Sequence, residues 1–162
     1  MKKLVVVLAA LLLVSACGIK PTPVLAAGPA PTLRIPATDG RGTDLILYFV
    51  LDDRVAPVAR SSDGDVGVEA ALSLLLDGPT ADERADGYAT MLPRPAGAIT
   101  VTPGSPATIG FPFPLRPLSG VGINQLVCTA FAALAAQGGY ATDGTVALAG
   151  PDVLLPNQTC QA

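Results

Sequence analysis

Three cysteines, Cys17, Cys128 and Cys160, and two glutamates, Glu69 and Glu83, are the side chains whose type and spacing suit chemistry in this 162-residue chain. A thiolate is a nucleophile or a metal ligand, and two facing carboxylates are the acid and base of glycoside hydrolysis. The chain contains no histidine, which removes Ser-His-Asp and Cys-His catalysis and every histidine-based zinc site. Ser73, Thr90 and Ser119 therefore have no partner base. Glu83, with Asp82 and Asp86 nearby, has a structural role to compete with catalysis. It follows Thr80 by three residues, the spacing of a capping box. Glu69 falls in the first turn of an expected helix, where negative charge is favoured. Asp63 and Asp65 alternate as in a calcium loop, but the third ligand, the glycine and the closing glutamate do not follow in register. A solvated turn with Asp65 as helix cap is the expectation there. No catalytic residue, no metal site and no cofactor are expected.

Cys17 is explained by what precedes it. Lys2 and Lys3 are followed by an apolar run, Leu4–Leu13, and by the small residues Val14-Ser15-Ala16, the pattern of a secretory signal. The run is well short of the roughly 20 residues of a membrane-spanning helix. Val-Ser-Ala-Cys resembles the lipobox of bacterial lipoproteins, which implies cleavage before Cys17 and acylation of its sulfur with diacylglycerol, palmitate being a typical chain. A plain secreted protein with an incidental cysteine is the competing reading. The resemblance implies a protein held by lipid on the extracytoplasmic face of the cell membrane. Cys128 and Cys160 are then left as an even pair in an oxidising compartment, for which a disulfide is the default. They lack the Cys-x-x-Cys spacing of a redox-active pair.

Net charge restricts the partners. The whole chain carries −3, and loss of Lys2 and Lys3 with the leader takes this to about −5. Lys20 and seven arginines cannot neutralise a run of phosphates, so nucleic-acid binding is not expected. Tryptophan is absent and aromatic residues are scarce, which disfavours a sugar-stacking platform.

The domain division expected is a leader at 1–16, a lipidated cysteine with a proline-rich tether at 17–43, and a folded domain at 44–162. Pro21, Pro23, Pro29, Pro31 and Pro36 favour extended, semi-rigid chain in the tether. Leu45–Leu51 reads as a strand covered on both faces, and Val55–Arg60 as its hairpin partner, with Pro57 marking an edge. Val68, Ala71, Leu72 and Leu75 recur at helical spacing and Gly78-Pro79 stops the helix. Thr80 to Glu83 starts a second, short helix. Residues 98–102 and 107–111 form a hairpin, and Phe111-Pro-Phe-Pro-Leu is expected to cover a core edge, with an exposed apolar strip as the competing reading. A third helix runs from Gly122 to Gln137 on Ile123, Leu126, Val127, Ala130, Phe131 and Leu134, and Thr145–Ala149 is the last strand. The fold class expected is mixed α/β, a small sheet of about five strands with two to three helices packed on it.

These residues resemble the GerMN domain, a module named after a spore-germination protein and found in lipoproteins of spore-forming and high-GC Gram-positive bacteria. The likeness spans Leu45 to Gly150. It rests on the strand Leu45–Leu51 with Val55–Arg60, on Ala70-Ala-Leu-Ser-Leu-Leu-Leu-Asp-Gly-Pro-Thr80, and on Glu83-Arg84, Gly87, Thr90 and Leu92-Pro93. Asn124-Gln-Leu-Val-Cys-Thr129 is similar to a helix start in the lipoprotein versions. The resemblance implies a small α/β module of the cell envelope and brings no catalytic residues with it. Two functions from different classes follow. One is a non-enzymatic interaction module that meets an envelope protein or a cell-wall polymer, with Arg60 and Arg84 as candidate anion contacts. The other is a carboxylate-based hydrolase of wall glycans using Glu69 and Glu83.

Overall fold

A computed structural model of the chain describes residues 43–62, 64, 66–94, 97–137 and 144–162. The leader, Cys17 and the proline-rich stretch up to residue 42 lie outside the described residues, as do Asp63 and Asp65.

The apolar run opens the fold as β1 (Thr43–Leu51), turns at Asp52-Asp53 and returns antiparallel as β2 (Arg54–Ser62). Both turn aspartates have positive φ, 51° and 62°, the two-residue type I′ geometry whose twist matches paired strands. The continuous apolar run suggested cover on both faces. Leu45, Leu47 and Phe49 are buried on one face, and on the other Val50 is buried while Ile46 and Tyr48 are half-buried, so both faces are covered, the first more completely.

Two helices follow. Helix α1 (Val68–Leu76) buries Val68, Ala71, Leu72 and Leu75, the positions the spacing selects. Its N-cap is Gly67, which makes no side-chain cap bond, so the capping position falls on a residue without a side-chain acceptor. Gly78 takes the left-handed position after α1, with φ 86°, and Pro79 prevents the helix continuing. Helix α2 (Ala81–Ala85) is started by Thr80 in the expected capping box, with both reciprocal bonds present. Past it, Ala89 pairs with Val50 through two backbone bonds of 2.8 Å.

The second half supplies β3 (Thr100–Thr102) and β4 (Ala107–Gly110), the expected hairpin. Phe111 and Phe113 are buried with ring centroids 5.4 Å apart, covering a core edge. Helix α3 (Gly120–Ala136) is capped by Ser119, whose hydroxyl accepts from the Gly122 amide at 3.1 Å. The chain then adds β5 (Val146–Ala149) parallel to β4, so α3 is the crossover that parallel strands require. Strand β6 (Leu154–Gln158) closes the sheet antiparallel to β5. It carries one extra residue against β5, with Asn157 at φ 53° inside the irregular stretch, the signature of a bulge.

The architecture is mixed α+β with three helices, and the strands divide into a pair, β1-β2, and a sheet ordered β3-β4-β5-β6. One apolar cluster from β1, α1, β4, α3 and β5 joins them. The expectation of a single sheet of about five strands gives way to this division for a physical reason. The free edge of β1 is taken by the single bridge from Ala89 to Val50 and by side chains of α3, not by another strand. The Tyr48 N–H donates to Thr129 Oγ1 at 2.9 Å and its carbonyl accepts from Gln125 Nε2 at 3.1 Å. Because both backbone groups of Tyr48 point to α3, its pairing with Pro57 on β2 is a non-hydrogen-bonded one. Pro57, with no N–H, therefore takes nothing from the ladder, and β2 is the edge that its proline predicts.

Candidate functional site

Half-buried positions alternate with exposed ones along the end of β2, at Val58, Arg60 and Ser62, and Arg60 is the charged one. Its guanidinium closes on Glu83 in two parallel bonds, Nε to Oε1 at 2.9 Å and Nη2 to Oε2 at 2.7 Å. Nη2 also donates to the Gly78 carbonyl at 3.1 Å, and the group lies 5.2 Å from the Phe49 ring centroid. Glu83 Oε2 meanwhile accepts from the Thr80 amide at 2.7 Å. One carboxylate thus completes the capping box and fastens Gly78-Pro79-Thr80 to β2. The side chains of Arg60 and Glu83 are 19% and 15% exposed, so water screens the pair weakly.

The bonds from Arg60, followed by those from Thr80, hold the Glu83 carboxyl below the ordinary glutamate range, against the opposing effect of burial. A group whose pKa is depressed on folding stabilises the fold above its unfolded value and loses that contribution as acid protonates it. Thermal stability should therefore fall once pH drops below about 4.5, the ordinary value. Melting curves from pH 7 to 3 check this: the decline should be shallower in Glu83→Gln, which has lost the ionising group.

Beside this anchor lies a cleft of about 280 Å³ whose walls include Asp77, Gly78, Pro79, Arg84, Tyr88 and Arg94. Arg84 Nη1 donates to the Pro79 carbonyl. Arg94 makes no hydrogen bond or ion pair among the described residues. A larger cleft of about 540 Å³ lies between the first turns of α3 and the C-terminal strand, lined by Val121, Ile123, Asn124, Leu155, Gln158 and Gln161 among others, none of them ionisable. Its wall is fastened twice. Cys128 and Cys160 stand at disulfide distance, with Cα atoms 4.7 Å apart. Asn124 Oδ1 accepts from the Gln161 amide at 2.9 Å, and Asn124 Nδ2 donates to the Gln161 carbonyl.

The candidate carboxylates are not brought together as an acid and base. Glu83 is bound to Arg60, Glu69 lies exposed on the first turn of α1, and neither lines either of these two clefts. Of the candidate anion contacts, Arg60 belongs to Glu83 and Arg84 reaches the smaller cleft. The hydroxyls named above are occupied locally. Ser73 Oγ donates to the Glu69 carbonyl, Ser119 caps α3, and Thr90 Oγ1 accepts from the Leu92 amide. Among the described residues no group of three His, Cys, Asp or Glu could hold a metal ion, and no helix is long and apolar enough to cross a membrane.

Two features escape the sequence reading. Gln125 and Thr129, fully buried and one turn apart on α3, hold β1. Gln125 Oε1 also accepts from the Met91 amide at 2.9 Å. The signal available was two polar residues at helical spacing inside an apolar stripe. Arg94 was visible only as an arginine between two prolines. No family model, curated protein or solved structure matches the chain.

Proposed function

We propose that this protein is a lipid-anchored, extracytoplasmic module of the GerMN type that binds a component of the cell envelope without cleaving it. The observation that carries the reading is the composition of the two clefts. The larger is lined by no ionisable side chain, and the smaller by two arginines and a single aspartate. Glycoside hydrolysis needs two carboxyl groups flanking the scissile bond, one of them with a raised pKa. Glu83, the best candidate for the acid, is shifted the opposite way by Arg60. Recognition needs only shape and a few oriented polar groups, which both clefts offer.

The anchor rests on the residues before the fold: the basic start, the apolar run and Val14-Ser-Ala-Cys17. The prolines between Cys17 and β1 then act as a spacer between the lipid and the domain. Full-length protein expressed in a Gram-positive host with radiolabelled palmitate should take up label, and Cys17→Ser should abolish it. Label retained in Cys17→Ser overturns the anchor.

A further inference from the structure

We propose that the smaller cleft, at Gly78-Pro79, holds a singly charged oxyanion, a phosphodiester or a carboxylate, carried by a cell-wall polymer. The inference rests on the reading of the protein as an envelope-binding module and assigns that module its contact point.

Charge is the first argument. The described arginines are Arg54, Arg60, Arg84, Arg94 and Arg116. Arg60 is consumed by Glu83, whereas Arg84 and Arg94 line one cleft. Neither forms an ion pair among the described residues. Asp77 is the one acid in the lining, so the walls carry a net single positive charge. That balance suits one negative charge and penalises two.

Geometry is the second. A guanidinium presents five donors in a planar fork that matches an oxyanion, and only one arm of Arg84 is committed, to the Pro79 carbonyl. Pro79 is buried and Gly78 is itself held by Arg60, so the floor under Arg84 is rigid. In the sequence Arg94 lies between Pro93 and Pro95. The following proline restricts the Arg94 backbone, so less backbone entropy is left to lose when the residue is fixed on a ligand. Thr90, also in the lining, accepts from the Leu92 amide, which leaves its hydroxyl proton to donate. Leu76 and Leu92 give the cleft an apolar side, which strengthens charge-assisted bonds by excluding water.

Size and overall charge narrow the ligand. A volume of about 280 Å³ lies at the lower bound for small-molecule sites, about 300 Å³, and admits a charged group with its immediate substituents, not a length of polymer. With a net charge of −3, the protein as a whole repels polyanions, so attachment to an anionic wall must come from a local site and not from diffuse attraction.

The test is co-sedimentation of the full-length chain, in detergent, with purified Gram-positive cell walls. Arg94→Gln should weaken binding about tenfold, the loss of one charge-assisted contact. Arg54→Gln, at the β1-β2 turn, changes the net charge equally and should bind as wild type. Arg94 is exposed and unbonded among the described residues, so its variant should melt with the wild type. Walls stripped of phosphodiester-linked polymers by hydrofluoric acid, and walls whose carboxyls are amidated, identify the source, since one treatment should abolish binding. Equal binding by wild type and Arg94→Gln overturns the cleft assignment and leaves the module reading intact. Binding that survives both wall treatments also overturns it, as does a wild type that fails to bind walls. In the last case the anchored-module reading is decided separately by the palmitate experiment.

Discussion

Replacing Gln125 by leucine should lower the unfolding free energy by about 2–4 kcal/mol, a large loss for a near-isosteric change. The side chain is fully buried and its two ends serve different segments. Its amide nitrogen donates to the Tyr48 carbonyl on β1, and its oxygen accepts from the Met91 amide, ahead of β3. Leucine fills the volume but strands the Tyr48 carbonyl, at about 1–3 kcal/mol when buried, and removes the bond to the amide of exposed Met91, at about 0.5–1.5 kcal/mol. The loss comes from stranded backbone groups and not from a cavity, so further apolar repacking cannot recover it. Thr129→Val removes only the acceptor for the Tyr48 N–H and should cost roughly half as much, about 1–2 kcal/mol. Urea unfolding of the three proteins checks the order. A Gln125→Leu midpoint equal to the wild type would show that β1 does not depend on α3 for its edge.

Removing the Cys128–Cys160 link should cost about 3–4 kcal/mol by the chain-entropy relation for its loop, whose ends are 32 positions apart. The link joins the middle of α3 to the residue two past β6, and the nearest other tie is the pair of bonds between Asn124 and Gln161. Those bonds form only once the tail is already placed, so they do not restrict the unfolded chain as a covalent bond does. Cys128→Ala/Cys160→Ala should therefore melt roughly 10–20 °C lower than the oxidised wild type. Reductant should move the wild type to the same value and leave the double variant unchanged. A reductant-insensitive wild type would mean that the two thiols are not bonded.

Much of the fold was legible because local signals and tertiary demands agreed. The Val68–Leu76 stripe, the Gly78-Pro79 stop and the Thr80–Glu83 box each describe a choice made within a few residues, and α1 and α2 follow from them. Strand β6 was not legible. Leu154-Leu-Pro-Asn-Gln158 has proline and asparagine where strands avoid them, and it forms because an edge strand tolerates both beside a bulge. The split into two sheets was hidden for a different reason. It depends on Gln125 and Thr129 occupying the edge of β1 from nearly 80 residues away, a pairing no local pattern encodes.

The candidate site divides in the same way. The capping role of Glu83 could be read from its distance to Thr80. That Arg94 joins Arg84 at Gly78-Pro79 could not, because they come from different sides of the turn that carries Tyr88 and Ala89 back to β1.

The proposed activity is recognition of the envelope without chemistry on it. Its most direct test is to incubate purified cell walls with the protein, then measure both the fraction of protein pelleted and the reducing ends released into the supernatant. The expected result is protein in the pellet and no reducing ends above the protein-free control. Release of reducing ends that disappears in Glu69→Gln or Glu83→Gln would contradict it and make the protein a carboxylate-based hydrolase.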